Sequence, residues 1–209
     1  MATLRKSSTG SRRLLRKRVL EYLLNLDRST FYLINGAHSR PLDALMIFIT
    51  WLGDAKIIVP LLALFFVLTW QKRTWPLILP LAVTLLLSDQ SAYHIKHWVG
   101  RVRPSHNLPH VHLVLGAGGW LSFPSNHAAN SFATATLLGF LRIPAWKWSW
   151  RLLLVLAGLV GYSRIYIGVH YPGDVLAGAI LGTLIGFVVW QLYRQTIKIC
   201  QRRHTPHEQ

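Results

Sequence analysis

Between two long apolar runs the chain reads Ser163-Arg164-Ile165-Tyr166-Ile167-Gly168-Val169-His170-Tyr171-Pro172-Gly173-Asp174. An arginine, a histidine and an aspartate stand within this short stretch. Such groups are costly to place in apolar surroundings and usually mark function there. Pro172 predicts a helix start, since proline is tolerated at the first helical position. Asp174 then falls in the first turn, where an anion is favoured. A carboxylate four residues from His170 is placed to take one imidazole N–H and leave the other nitrogen free as a nucleophile. The plainer reading is an aspartate that caps a helix, with an unrelated histidine nearby.

Two further polar clusters follow the same logic. The first runs from Lys96 to Pro104 as Lys-His-Trp-Val-Gly-Arg-Val-Arg-Pro. Lys96 as a point charge and Arg103 as a bidentate fork suit a dianion; equally, basic residues at an interface meet lipid headgroups. The second, Phe123-Pro124-Ser125-Asn126-His127, opens an apolar helix. It puts Ser125 at the N-cap, beside outward-pointing amides that make an anion site. His127 would stand next to that anion, or be only an interfacial histidine. Taken together, the clusters assemble the cations Lys96, Arg103 and Arg164, a helix N-terminus with Ser125, and two histidines. That is a phosphate pocket with a nucleophile and an acid. No recurring carboxylate set for a metal accompanies it; His106, His110 and His112 raise a metal but lack a cysteine or carboxylate beside them, and are read as shaping the pocket mouth or meeting headgroups.

The elements that must position these groups are membrane helices. The chain has 209 residues, is 52% apolar and carries a formal net charge of +16. That charge raises nucleic acid as a partner, but its placement excludes it. The basic residues sit in the N-terminal arm, the C-terminal tail and short connections between apolar spans, as in membrane proteins. The length suits one domain. Cys200 is the single cysteine, so no intramolecular disulfide forms, and no cleavable signal is recognisable. Residues 1–18 read as a mobile basic arm. Residues 19–36 read as one or two interfacial helices, and 42–52 as a further helix, with Asp54 capping the next. Spans are predicted at 55–70, 76–95, 127–142, 150–167 and 173–193, close to the ~20 residues that cross a bilayer.

The fold class is therefore all-α, a polytopic transmembrane helical bundle of five or six spans with N-terminal interfacial helices. Its organisation is 1–40 arm and interfacial helices, 41–195 membrane-embedded domain, and 196–209 basic tail. Lys72, Arg73, Arg142, Lys147, Arg151, Arg194, Lys198, Arg202 and Arg203 fall on one side if five spans alternate, which makes that side cytoplasmic and the clusters outward-facing. Five spans leave the basic arm outside against the same rule; a sixth crossing within 19–52 would remove the conflict. Gly178, Gly182 and Gly186 line one face of the last span and predict close helix packing. Asp89 reads as a partner of a pocket residue or as structural polar packing with Ser88 and Gln90.

In this order, Lys-x6-Arg-Pro, Pro-Ser-x-His and Ser-Arg-x5-His-x3-Asp resemble the three signatures of the type 2 phosphatidic acid phosphatase and vanadium haloperoxidase superfamily. Lys96, Arg103 and Pro104 match the first; Pro124, Ser125 and His127 the second; Ser163, Arg164, His170 and Asp174 the third. The likeness covers roughly residues 40 to 195. One departure is Asn126, where the family usually has glycine; asparagine tolerates the unusual backbone angles.

The resemblance implies roles. The histidine matching His170 attacks phosphorus, the aspartate matching Asp174 orients it, and the histidine matching His127 protonates the leaving oxygen. Lys96, Arg103, Ser125 and Arg164 are implied to bind the phosphate, with no metal and no cofactor. Haloperoxidases are soluble and this chain is apolar, so the expected substrate is a lipid phosphate. Candidates are undecaprenyl pyrophosphate, phosphatidylglycerol phosphate, phosphatidic acid or a lipid A phosphate, met at the outward face of a bacterial inner membrane. Two alternatives remain: transfer of the phosphoryl group to another lipid, and a non-catalytic protein that binds anionic headgroups.

Overall fold

The computed structural model describes the backbone of residues 5–68, 75–141 and 149–204. Lys72, Arg73, Arg142 and Lys147 lie outside the described residues. The elements are α1 (Arg5–Gly36), α2 (Arg40–Leu52), α3 (Ala55–Leu68), a 3-10 turn (Trp75–Leu77), α4 (Ile78–Val99), α5 (Pro104–Asn107), α6 (Asn126–Leu141), α7 (Ser149–Tyr166) and α8 (Pro172–His204). An isolated antiparallel bridge joins Val102 and Leu121.

Local chemistry explains most boundaries. Ser39 is extended and Pro41 stands in the first turn of α2, where a missing N–H costs nothing. The Asp54 carboxylate caps α3 by accepting from Lys56 N at 2.9 Å. Gly100, at φ +66, ends α4 in the left-handed conformation, its N–H on Lys96 O at 3.0 Å. Pro172 opens α8. Two elements run longer than the sequence pattern predicts. Residues 5–18 are helical and continue the helix that contains 19–36. The last helix runs on to His204, because no proline or glycine interrupts residues 187–204.

The central helix is α6, which packs on α4, α7 and α8. Its contact with α8 is the closest. A Cβ on Gly182 would stand 2.1 Å from Ala129 O, and those on Gly178 and Gly186 2.5 Å from Ser125 O and Ala133 O. The small-residue face of α8 therefore packs inside the bundle, where it lets two backbones approach. Leu81, Leu137 and Val189 fill the space between α4, α6 and α8. Met46 and Ile49 of α2 pack on Val160, Tyr166, Ile167 and Val169.

The N-terminal helix reaches the α7–α8 loop. Phe31 is fully buried with Ile165 and Tyr171, and Asn35 Nδ2 donates to Tyr166 O at 2.7 Å and His112 O at 2.9 Å. Among the described residues one helical segment, Pro172–Gln201, is long and apolar enough by itself to cross a membrane.

Candidate active site

Each polar cluster is fastened to the next. Residues 101–103 run against 120–122: Ser122 N donates to Arg101 O at 2.7 Å and Arg103 N to Trp120 O at 3.0 Å. The cations of the first cluster seize the same segment. Lys96, at the end of α4, donates to Pro124 O at 2.8 Å, and Arg103 Nε donates to Leu121 O at 3.1 Å. A Cβ on Gly118, which stands at φ +68, would lie 2.9 Å from Arg103 Nη1, so that backbone passes directly against the guanidinium.

The second cluster is tied to the third through Ser125, which is fully buried. Its N–H donates to the main-chain O of Asp174 at 3.0 Å, joining the N-termini of α6 and α8. Arg164, from the last turn of α7, donates from Nη1 to Thr50 Oγ1 of α2 at 2.8 Å. Its buried Nε has no protein partner. A Cβ on Gly53 would lie 3.4 Å from His127 Cδ2, so the α2–α3 connection passes close to that imidazole. All seven residues singled out from the sequence, Lys96, Arg103, Ser125, His127, Arg164, His170 and Asp174, converge on one locality.

The candidate nucleophile lies in the turn between α7 and α8. Gly168 stands at φ +86, a region costly for side-chain-bearing residues, and a Cβ there would meet His112 O at 2.7 Å. The turn carries His170 into the interior, 2% exposed. Burial, reinforced by the charges of Arg103, Arg164 and Lys96, holds the His170 imidazole well below its ordinary range. The ring is therefore neutral at physiological pH, with a lone pair available.

One expectation needs correction. The spacing predicts that Asp174 takes an N–H of His170, but Oδ2 and Nδ1 are 3.6 Å apart, and Nδ1 makes no hydrogen bond. The carboxylate is held by other donors: Tyr171 N reaches Oδ2 at 2.9 Å and Arg101 Nη1 reaches Oδ1 at 2.7 Å. Proximity in sequence brings Asp174 beside His170; competition from a main-chain amide and a guanidinium sets its distance. Catalytic hydrogen bonds are often long before substrate binds.

Several residues found here escape the sequence pattern. Arg101 sits inside the first cluster, where the pattern assigns only Lys96 and Arg103 to the anion. Asp27 is a charge within an apolar stretch of α1, a signal that points to it. Thr50 carries none. Asp89, left between two readings, accepts from Asn126 Nδ2 at 2.9 Å; it is thus a partner of the residue between Ser125 and His127. His112 pairs with Asp43 at 3.0 Å, and His106 stacks on Trp120 at 4.5 Å.

The profile of the PAP2 superfamily matches residues 73–198. A lipid A 4'-phosphatase of Bacteroides thetaiotaomicron is 33% identical over 195 residues, covering 88% of this chain and 83% of the relative. An undecaprenyl-diphosphatase of Sulfolobus acidocaldarius is 34% identical, covering 78% and 76%. The crystal structure of a transmembrane PAP2 type phosphatidylglycerolphosphate phosphatase from Bacillus subtilis superposes with a TM-score of 0.71 at 25% identity, over 83% of this chain and 87% of that one.

Proposed function

This chain belongs to the PAP2 superfamily, and from that premise we propose that it is an integral membrane lipid phosphatase that works through a phosphohistidine on His170. The observation that carries the reading is the meeting of the three clusters around one buried, neutral imidazole. Lys96, Arg103 and Arg164 all act on His170 electrostatically, and Ser125 is bonded to the residue that faces it.

In the first step the free ring nitrogen of His170 attacks phosphorus. The bond to the leaving oxygen breaks as His127 gives that oxygen a proton. Asp174 stabilises the charge that develops on the imidazole. Lys96, Arg103, Arg164 and the amides beside Ser125 stabilise the equatorial oxygens, where most catalysis of phosphoryl transfer lies. Water, losing its proton to His127, then displaces His170 and releases phosphate.

We read the site as facing outward across five spans, α3, α4, α6, α7 and α8. The ends of these helices opposite the site carry Arg151, Arg194 and Lys198, which favours a cytoplasmic position for those ends. The contacts of Phe31 and Asn35 with the site-side ends of α7 and α8 support α1 as an interfacial helix.

The test is phosphate release by the purified protein in detergent, with chelator present. The panel is undecaprenyl pyrophosphate, phosphatidylglycerol phosphate, phosphatidic acid and lipid A, and His170→Ala is the control. Release that survives chelator and vanishes in the variant is expected. Equal release from His170→Ala would overturn the mechanism.

A further inference from the structure

Arg101 touches no position assigned to the phosphate. Its guanidinium lies between two carboxylates: Nη1 donates to Asp174 Oδ1 at 2.7 Å and Nη2 to Asp27 Oδ2 at 2.5 Å. The plane also stacks over the Tyr171 ring, 4.0 Å from its centroid, a favourable cation–π contact. Asp27 is engaged on its other oxygen as well. Oδ1 accepts from Gly173 N at 2.7 Å, an amide of the first turn of α8, which is otherwise unpaired in a helix. The chain of contacts therefore runs from α1 through Arg101 to the carboxylate that faces the nucleophile. Asp174 is fully buried, whereas Arg101 is 21% exposed.

We propose that Arg101 is a positioning residue for the His170–Asp174 pair, and that Asp27 of α1 completes it, making the N-terminal helix part of the catalytic apparatus. Without Arg101, Asp174 would keep the Tyr171 amide on Oδ2 and the Ser122 hydroxyl, but no charged donor would hold Oδ1. Arg101 fixes the plane of Asp174 by holding Oδ1, and so fixes where Oδ2 stands relative to His170 Nδ1. Asp27 in turn fixes the guanidinium, since a bridged fork cannot swing away from either carboxylate. Because two of its nitrogens are committed to these carboxylates, Arg101 acts on turnover and not on substrate affinity. Asp27 lies outside the stretch that matches the family, residues 73–198.

This inference rests on the phosphatase reading of the site, so its test has an arm that needs no substrate. In the first arm, phosphate release is measured for wild type, Arg101→Ala, Arg101→Lys and Asp27→Asn, each normalised to folded protein by size-exclusion profile. Arg101→Ala should lower kcat by about 10–100-fold, the scale at which orienting partners act, with KM nearly unchanged. Arg101→Lys should recover part of the loss, and added guanidinium should restore turnover to Arg101→Ala but not to Asp27→Asn. In the second arm, the His170 ring is followed by 15N NMR of histidine-labelled protein, assigned with His170→Gln. The wild type should show one dominant neutral tautomer, and Arg101→Ala a mixture. A merely structural role predicts lower thermal stability with kcat, guanidinium response and tautomer all unmoved, and that result would overturn the proposal. If the wild type releases no phosphate, the phosphatase reading falls, and the tautomer arm alone decides the positioning role.

Discussion

Nδ1 of His170 and Oδ2 of Asp174 stand 3.6 Å apart, beyond the range of a formed hydrogen bond, while both oxygens of Asp174 are engaged elsewhere. The pair is adjacent but not closed. In the proposed mechanism positive charge develops on the imidazole during attack, so the attraction to Asp174 grows. The contact is therefore worth more in the transition state than in the resting protein, which is the condition for an interaction to raise kcat.

Asp174→Asn keeps the shape of the side chain and removes the charge. Turnover should fall by about 10⁴-fold, the scale seen when the carboxylate of a histidine pair is neutralised, with a smaller change in KM. Steady-state phosphate release decides. A loss below about tenfold would mean that Asp174 serves mainly to cap α8.

His127→Ala should slow release by about 10²–10⁴-fold from alkyl phosphates. An aryl phosphate with an acidic leaving group needs little protonation, so its loss should be much smaller. Comparing the two esters in the same variant isolates the proton-donating role. Equal losses would assign His127 to binding instead.

The burial that keeps His170 neutral makes stability depend on pH. Its folded-state pKa lies well below the ordinary 6.5, so below about pH 6.5 the unfolded chain binds a proton that the folded chain refuses. The stability associated with this group is present above that pH and is lost as pH falls below it. Unfolding temperature measured from pH 7.5 downward should decline in the wild type and decline less steeply in His170→Gln. Parallel curves would argue against a strongly lowered pKa.

Gly182→Leu drives a side chain into Ala129 O, which a Cβ alone would approach to 2.1 Å. The variant should lose about 1–3 kcal/mol or more of stability, read as a lower unfolding midpoint in detergent. An unchanged midpoint would mean that α6 and α8 can separate at no cost.

Asp89 and Asn126 are joined by a 2.9 Å hydrogen bond between α4 and the start of α6. In a double-mutant cycle, Asp89→Ala and Asn126→Ala should couple by about 1 kcal/mol. Additive effects would make the contact incidental.

Much of the site is legible in the sequence, because the signals are local. Pro172, Pro41 and Gly100 mark helix ends through their own backbone restrictions. Ser125, His127, Arg164, His170 and Asp174 lie within a turn of helix ends, so their gathering follows once successive helices pack side by side. The apolar periods place α4, α6, α7 and α8 within a few residues of where they stand, except that α8 continues further.

The partners are not legible, because they come from far along the chain. Asp27 and Gly173 are separated by 146 residues, and Thr50 and Arg164 by 114. An arginine in sequence does not state whether it will meet a substrate phosphate, the role assigned to Arg103, or two carboxylates, as Arg101 does. That choice depends on how closely the helix backbones approach. Here the approach is governed by Gly178, Gly182 and Gly186 against Ala129 and Ala133, and by Phe31 filling the space beside Tyr171. Residue type and spacing therefore determined which chemistry the chain carries and at which helix ends. Only the packing of those helices decided which charges meet, since short-range contacts form wherever the backbones allow side chains of the right length to reach.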